Sequence, residues 1–168
     1  MLSEAALVIA VIGLIPLMAV IAYVDTRDLK IPNWTVLAVL GVFLVTGSWG
    51  LPLDSFLWRL VYVVLAFVVG LGIYHLTHGA VGAGDLKLIA ALVPFVHGQN
   101  LLPFLVVFVA VLIVGPIFVI ILRRVLKGRA TRWKAFEPVV FIPVGLFIGI
   151  TVVAVMIGEA AIRFEWFA

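Results

Sequence analysis

The chain has 168 residues, of which 66% are hydrophobic and only 11% are Asp, Glu, Lys or Arg, and its mean hydropathy is +1.38. A soluble domain carries about 25% charged residues, so a water-soluble globule is excluded; the length suits one domain and, at roughly 20 residues per crossing, a bundle of about six spans. The net charge of +3 and pI near 9.6 do not point to nucleic acid, because the basic residues sit in loops between apolar runs.

Residues 5–24 are uncharged and long enough to cross a bilayer as a helix. The stretch before them lacks a basic start and a clear A-x-A site, so they read as a retained span. Asp25, Arg27, Asp28 and Lys30 end the run, and Pro32 fits the first turn of a new helix. Residues 34–53 are again uncharged; Gly47, Ser48, Gly50 and Pro52 predict a turn, with the helix stopping near Thr46. A third span covers residues 56–76, and residues 77–84 form a Gly-rich loop. Residues 88–122 are too long for one span. The polar turn His97-Gly98-Gln99-Asn100 splits them into a fourth span near 86–96 and a fifth near 101–122. The fourth is short: residues 85–96 make about 18 Å of helix against a hydrocarbon core of about 30 Å. Either one end lies below the membrane surface, with Asp85 at membrane depth, or the helix runs on through the His97 turn. A basic loop follows over residues 123–137, then a sixth span over 138–158 and an aromatic-rich tail.

Six spans put both termini on one side. Nine of the eleven Lys and Arg fall in the loops after spans one, three and five. The positive-inside rule then places both termini outside and those loops in the cytoplasm. Asp25 and Asp85 share that cytoplasmic side.

Asp25 closes the first span and Asp85 opens the fourth. Ionisable residues at such positions face a bundle interior or a watery cavity. Two neighbouring carboxylates share a proton, and such a pair can hydrolyse a peptide bond: one member takes a proton from water while the other polarises the carbonyl. A lone Asp at a helix end is also a favoured N-cap, and Asp85 before Leu86-Lys87 fits that role. From charge topology alone three readings stand. They are a hydrolytic dyad, a small transporter or channel with a proton or cation site, and an inert scaffold. The local context adds Gly82-x-Gly84-Asp85, whose glycines permit positive φ and close backbone approach.

Three segments together resemble the type IV prepilin peptidases, which are G-x-G-D membrane aspartic proteases. They are Asp25-x-Arg27-x-x-x-Ile31-Pro32-Asn33, Gly82-x-Gly84-Asp85-x-Lys87, and Ile142-Pro143-Val144-Gly145-Leu146-Phe147. Their order and spacing match across nearly the whole chain. The last departs from the family's I-P-x-G-P-F, with Leu146 where many members have a second proline. The larger members' zinc-binding cysteine segment, which goes with N-methylation of the pilin, is absent. The chain looks like the short peptidases of the Tad or Flp pilus type. The resemblance implies that Asp25 and Asp85 are catalytic, without cofactor or metal. It implies support roles for Gly82, Gly84, Lys87, Arg27, Pro32, Asn33 and Pro143. The implied substrate is a prepilin or pseudopilin, cut after a glycine at the cytoplasmic face of the inner membrane.

Other residues read more plainly. With no cysteine and only His75, His78 and His97, there is little to build a metal site from. The basic loop sets topology and touches anionic lipid. Trp34, Trp49, Trp58, Trp133 and Trp166 fall near span ends, as an aromatic belt requires. Gly41, Gly70, Gly145 and Gly149 read as helix-packing points. The sequence carries no indication of oligomeric state.

Overall fold

The computed structural model describes residues 2–79, 81–96, 101–125 and 144–163. These form α1 (Glu4–Asp28), α2 (Asn33–Gly50), α3 (Leu53–Leu76), α4 (Ala83–Leu92), α5 (Leu101–Val125) and α6 (Val144–Arg163). A 3-10 turn, Val93–Phe95, ends α4, and no strand occurs among the described residues. All but α4 contain a stretch long and apolar enough to cross a membrane. The expected all-α membrane bundle is therefore the observed architecture, with the short fourth helix as its irregular member. His97 to Asn100, most of the basic loop, Pro143, Trp133, Trp166 and the start of the expected sixth span lie outside the described residues.

The helices are apolar on all sides, as membrane-spanning helices are. Leu14, Ile21, Val39, Phe43, Leu88, Ile148 and Val152 are buried in the core. Ile12, Leu37, Val64, Val106 and Ile113 are as apolar, yet stand exposed on the outer faces. Lipid, not water, is the solvent that tolerates such a surface. Thr35, Thr46 and Thr151 are fully buried. Each returns its hydroxyl to its own helix end or turn, donating to the carbonyls of Pro32, Val42 and Phe147.

α1 is central and runs antiparallel to α2 and α6. Ser3 N–H donates to Gly50 O at 2.8 Å, and Arg163 Nη1 donates to Leu2 O at 2.8 Å. The start of α1 and the end of α6 thus share one side of the bundle, as an even number of crossings requires. α4 packs among α2, α3 and α6. α5 lies mainly on α6, where the Phe147 ring fills the space left by Gly115.

Several sequence-based boundaries are corrected. α2 does not stop near Thr46 but continues to Gly50. Gly47 and Gly50 are contact points, not turn residues. A Cβ on Gly47 would stand 3.0 Å from the rings of Phe43 and Phe56, and one on Gly50 would stand 2.3 Å from Ala6 Cβ. Pro32 is the N-cap of α2, one residue before the expected first turn, with φ −66° and ψ 141°. Gly41 is not a packing point, since nothing lies within 4 Å of a Cβ built there. Gly70, Gly145 and Gly149 are, touching Leu86, Ile31 and Met18. Trp34, Trp49 and Trp58 are exposed, each within a few residues of a helix end.

Gly50→Ala is expected to destabilise the protein by about 1–3 kcal/mol, because Ala6 is backbone-bound and cannot retreat. Gly41→Ala is expected to be neutral or stabilising, since alanine is the better helix former by about 1 kcal/mol. Thermal unfolding in detergent compares the two; equal shifts would refute the packing argument. Orientation follows from charge. Reporter fusions after Lys30 and Gly79 are expected to report the cytoplasm, and one near Gly50 the opposite side. The reverse pattern would invert the assignment.

Candidate active site

α4 begins below the end of the helix beside it. Leu86 Cβ lies 3.3 Å from the position of a Cβ on Gly70, and Gly70 precedes the end of α3 at Leu76 by six residues. At about 1.5 Å per residue, the contact sits roughly 9 Å inside the end of α3. Asp85, next to Leu86, is half-buried in the first turn of α4, beside a cavity of about 250 Å³ lined by Gly70, Tyr74, Ala83 and Leu86. Of the two arrangements open from sequence, the described helix is the short one, giving way after Leu92 to the 3-10 turn; the His97 turn lies outside the described residues.

Asp25 approaches from the last turn of α1. It is 4% exposed, and Asp85 is half-buried. The two are brought to the same place through Ile31: Gly84, next to Asp85, and Gly145, which faces Asp25, both close on it. Ile31, in the connection between α1 and α2, is the wedge on which the neighbouring elements meet. Its Cβ lies 3.1 Å from a Cβ built on Gly84, and its Cδ1 lies 2.6 Å from one built on Gly145. A methyl group at Gly145 would require the Ile31 tip to turn away, one at Gly84 would require a shift of a few tenths of an ångström, and a larger side chain at Gly84 would push α4 away from Ile31.

Each carboxylate has one oxygen turned toward a glycine. Asp25 Oδ2 stands 3.0 Å from a Cβ on Gly145 and accepts a hydrogen bond from Leu146 N–H at 3.3 Å. Asp85 Oδ2 stands 2.7 Å from a Cβ on Gly82. The expected N-cap role of Asp85 is corrected: Gly82 is the N-cap, and Asp85 lies inside the first turn. The expected positive φ is corrected too. Gly82 has φ −63°, Gly84 is helical, and among the described glycines only Gly79 has a positive φ, of 77°. The glycines of this segment provide room, not left-handed backbone.

The remaining sequence candidates fall in different places. Lys87 Nζ donates to Asn33 Oδ1 at 3.2 Å, tying the first turns of α4 and α2 together. Pro32 fixes the entry to α2, and its carbonyl accepts from Thr35 Oγ1 at 2.7 Å. Arg27 is exposed and donates to Tyr23 Oη at 3.4 Å. Pro143 is outside the described residues. His75 and His78 are exposed, and His75 packs edge-on against Tyr74. Among the described residues no group of three His, Asp or Glu is placed to hold a metal ion. Sequence reasoning missed Gly145 and the Leu146 amide as parts of the site. The available signal was the Pro143-x-Gly145 segment, but Gly145 was read as a packing point only.

Two apolar grooves flank the pair. One, of about 490 Å³, lies between α1, α5 and α6, running from Thr26 past Val114 and Phe118 to Ile150. The other, of about 380 Å³, lies between α2, α3 and α4, running from Asn33 and Lys87 past Leu40 and Phe67. Two acids brought to the same place, beside apolar grooves, have the equipment to share a proton and activate water.

The model of the type IV leader peptidase family matches residues 12–120, a stretch that includes Asp25 and Gly82 to Asp85. No curated protein and no solved structure matches the chain.

Gly82→Ala should force the Asp85 carboxylate to swing aside, because its Oδ2 occupies the space of the new methyl group. A displacement near 1 Å at a reacting group costs on the order of 100-fold in turnover. Stability should change little, since Gly82 is exposed. Gly84→Val should lower turnover by displacing the first turn of α4 from Ile31. Turnover and unfolding temperature, measured side by side, check both; full activity in Gly82→Ala would show that this carboxylate position is not the working one.

Proposed function

The chain belongs to the type IV leader peptidase family, and from that premise we propose that Asp25 and Asp85 form its catalytic pair, an aspartic dyad. As a leader peptidase it hydrolyses a peptide bond in its substrate. The proposed substrate is a type IV prepilin or pseudopilin, whose leader is cut at the cytoplasmic face of the inner membrane. One membrane-embedded domain does this without a cofactor.

The observation that carries the reading is the meeting of two acids in a recess of an otherwise apolar bundle. Ionisable groups at membrane depth are costly and mark functional sites. In the proposed reaction the ionised carboxylate takes a proton from water as the water oxygen bonds to the scissile carbonyl carbon. The protonated carboxylate donates to the carbonyl oxygen. The neutral gem-diol intermediate then collapses: one of its hydroxyls returns a proton to the dyad as the C=O re-forms, the C–N bond breaks, and the leaving amine takes a proton from the dyad. The pair ends with the single proton it began with.

Substrate recognition follows from charge and apolar shape. Nine Lys and Arg lie on the proposed cytoplasmic side, against Asp25, Asp28, Asp85 and Glu137. A basic leader gains nothing from that face. The pilin's hydrophobic helix, lying in an apolar groove beside the dyad, therefore provides the recognition. The backbone at Gly82 and Gly84 guides the scissile segment, with Gly82 leaving the space that the Asp85 carboxylate fills and Gly84 letting the first turn of α4 close on Ile31. Neutralising Arg129 and Arg132, which lie outside the described residues, should leave cleavage near normal.

Asp25→Asn and Asp85→Asn are each expected to abolish cleavage of a co-expressed prepilin while the protein still inserts and folds. Asp28→Asn is expected to retain activity. Gel shift of the prepilin in membranes, at matched enzyme levels, reads the result. Robust processing by either dyad variant would sink the proposal. Ion uptake into liposomes without proteolysis would instead favour the pair as the ion site of a transporter.

A further inference from the structure

The Leu146 amide is one of the first-turn N–H groups of α6, which have no acceptor within their own helix. It reaches across 121 positions to Asp25 Oδ2. Gly145 closes on the same oxygen, which a Cβ there would approach to 3.0 Å. With Asp25 only 4% exposed, its Oδ2 is enclosed by α6. Asp25 Oδ1 is the oxygen not engaged by that amide. The charged residues at this end of the surrounding elements are Asp85 and Lys87 of α4, Arg27 and Asp28 of α1, and Lys30 in the connection; α2 carries none, and Glu4 of α1 and Glu159 and Arg163 of α6 lie at the opposite end.

We propose that the Leu146 backbone amide is a positioning group: it holds Asp25 Oδ2 against α6 and so dedicates Oδ1 to the water that attacks the substrate. The inference rests on the dyad reading given above. It concerns a backbone group and is independent of the leucine side chain. Where the family pattern has proline at this position there is no N–H to give, so this hold is a property of chains that depart from the pattern as this one does. A proline is compatible with the first turn of a helix, and Gly145 before it has no Cβ to clash. The donor can therefore be removed without breaking α6.

The test uses the full chain in lipid nanodiscs, with a prepilin as substrate. Three forms are compared with wild type: Leu146→Pro, Leu146→Ala, and an amide-to-ester exchange at Leu146 that replaces only the N–H by oxygen. The ester and Leu146→Pro are expected to lower kcat by on the order of 10-fold. In the ester form KM should stay unchanged, because the side chain and its groove contacts are kept; Leu146 lines the groove between α1, α5 and α6, so Leu146→Pro is read against Leu146→Ala, which alters the same side chain. Leu146→Ala, the conservative form that keeps the amide, is expected to recover kcat. Wild-type kcat in the ester form would overturn the proposal. So would a loss in Leu146→Ala equal to that in Leu146→Pro, since the side chain would then be responsible. Asp25→Asn, assayed in parallel, separates the two levels: if it still cleaves, the dyad reading fails and not merely the role of the amide.

Discussion

Carboxylates enclosed in an apolar helical bundle need partners that neither lipid nor apolar side chains provide. Here two helix N-termini meet around them. Asp85 lies in the first turn of α4, and Asp25, though it belongs to α1, takes an amide from the first turn of α6. The N-terminal end of a helix carries partial positive charge and spare N–H groups, and so favours an acid. Bringing the two ends together requires backbone to approach backbone closely. Gly84 and Gly145 allow it, both closing on Ile31, and Gly82 leaves the space that the Asp85 carboxylate fills. Short α4, the wedge residue and the glycine spacing all serve that one convergence.

The opposite end of the bundle shows the complementary problem. A helix that stops inside the bundle leaves its last carbonyl groups without donors. α4 gives way to the 3-10 turn at Val93–Phe95, and Arg59 of α3 donates to the Pro94 carbonyl. Arg59 is buried and attracted by Glu159 of α6, which pairs with Arg163, which in turn donates to Leu2 O. Among the described residues, no fully buried side-chain nitrogen or oxygen lacks a hydrogen bond. This polar clamp ties α1, α3, α6 and the end of α4 together at one level. It fixes the far ends of the helices whose near ends carry the site.

The spans were legible because an uncharged run of membrane length has few alternatives in sequence. The shortness of α4 was legible for the same reason, as arithmetic on residues 85–96. What was not legible depended on tertiary partners. Gly47 and Gly50 look like turn residues until Phe43, Phe56 and Ala6 are seen beside them. The positive φ expected of Gly82 and Gly84 is not what the structure has: a G-x-G pattern does not say whether the missing Cβ frees φ or frees space. Arg59 and Arg163 were counted as charges of the outer side, although both are used inside the structure. The Leu146 contact could not be read at all. A backbone amide carries no residue signature, and its partner is 121 positions away.

The sunk start of α4 also bears on how a membrane peptidase could receive its substrate. An apolar helix arriving from the bilayer has all its backbone groups satisfied internally, and a peptide bond in that state presents no free strand to a dyad. The bond to be cut must therefore lie beyond the helix end, in extended chain. Had α4 continued to the level of Leu76, it would have filled the space above Asp85. Starting at Ala83, about 4–5 Å short of that level, leaves room above the first turn of α4, while the grooves beside α2 and α6 remain apolar. The same shortening that creates the need for Arg59 at one end makes room for hydrolysis at the other. On this reading the interrupted helix is the structural condition for proteolysis at a membrane face.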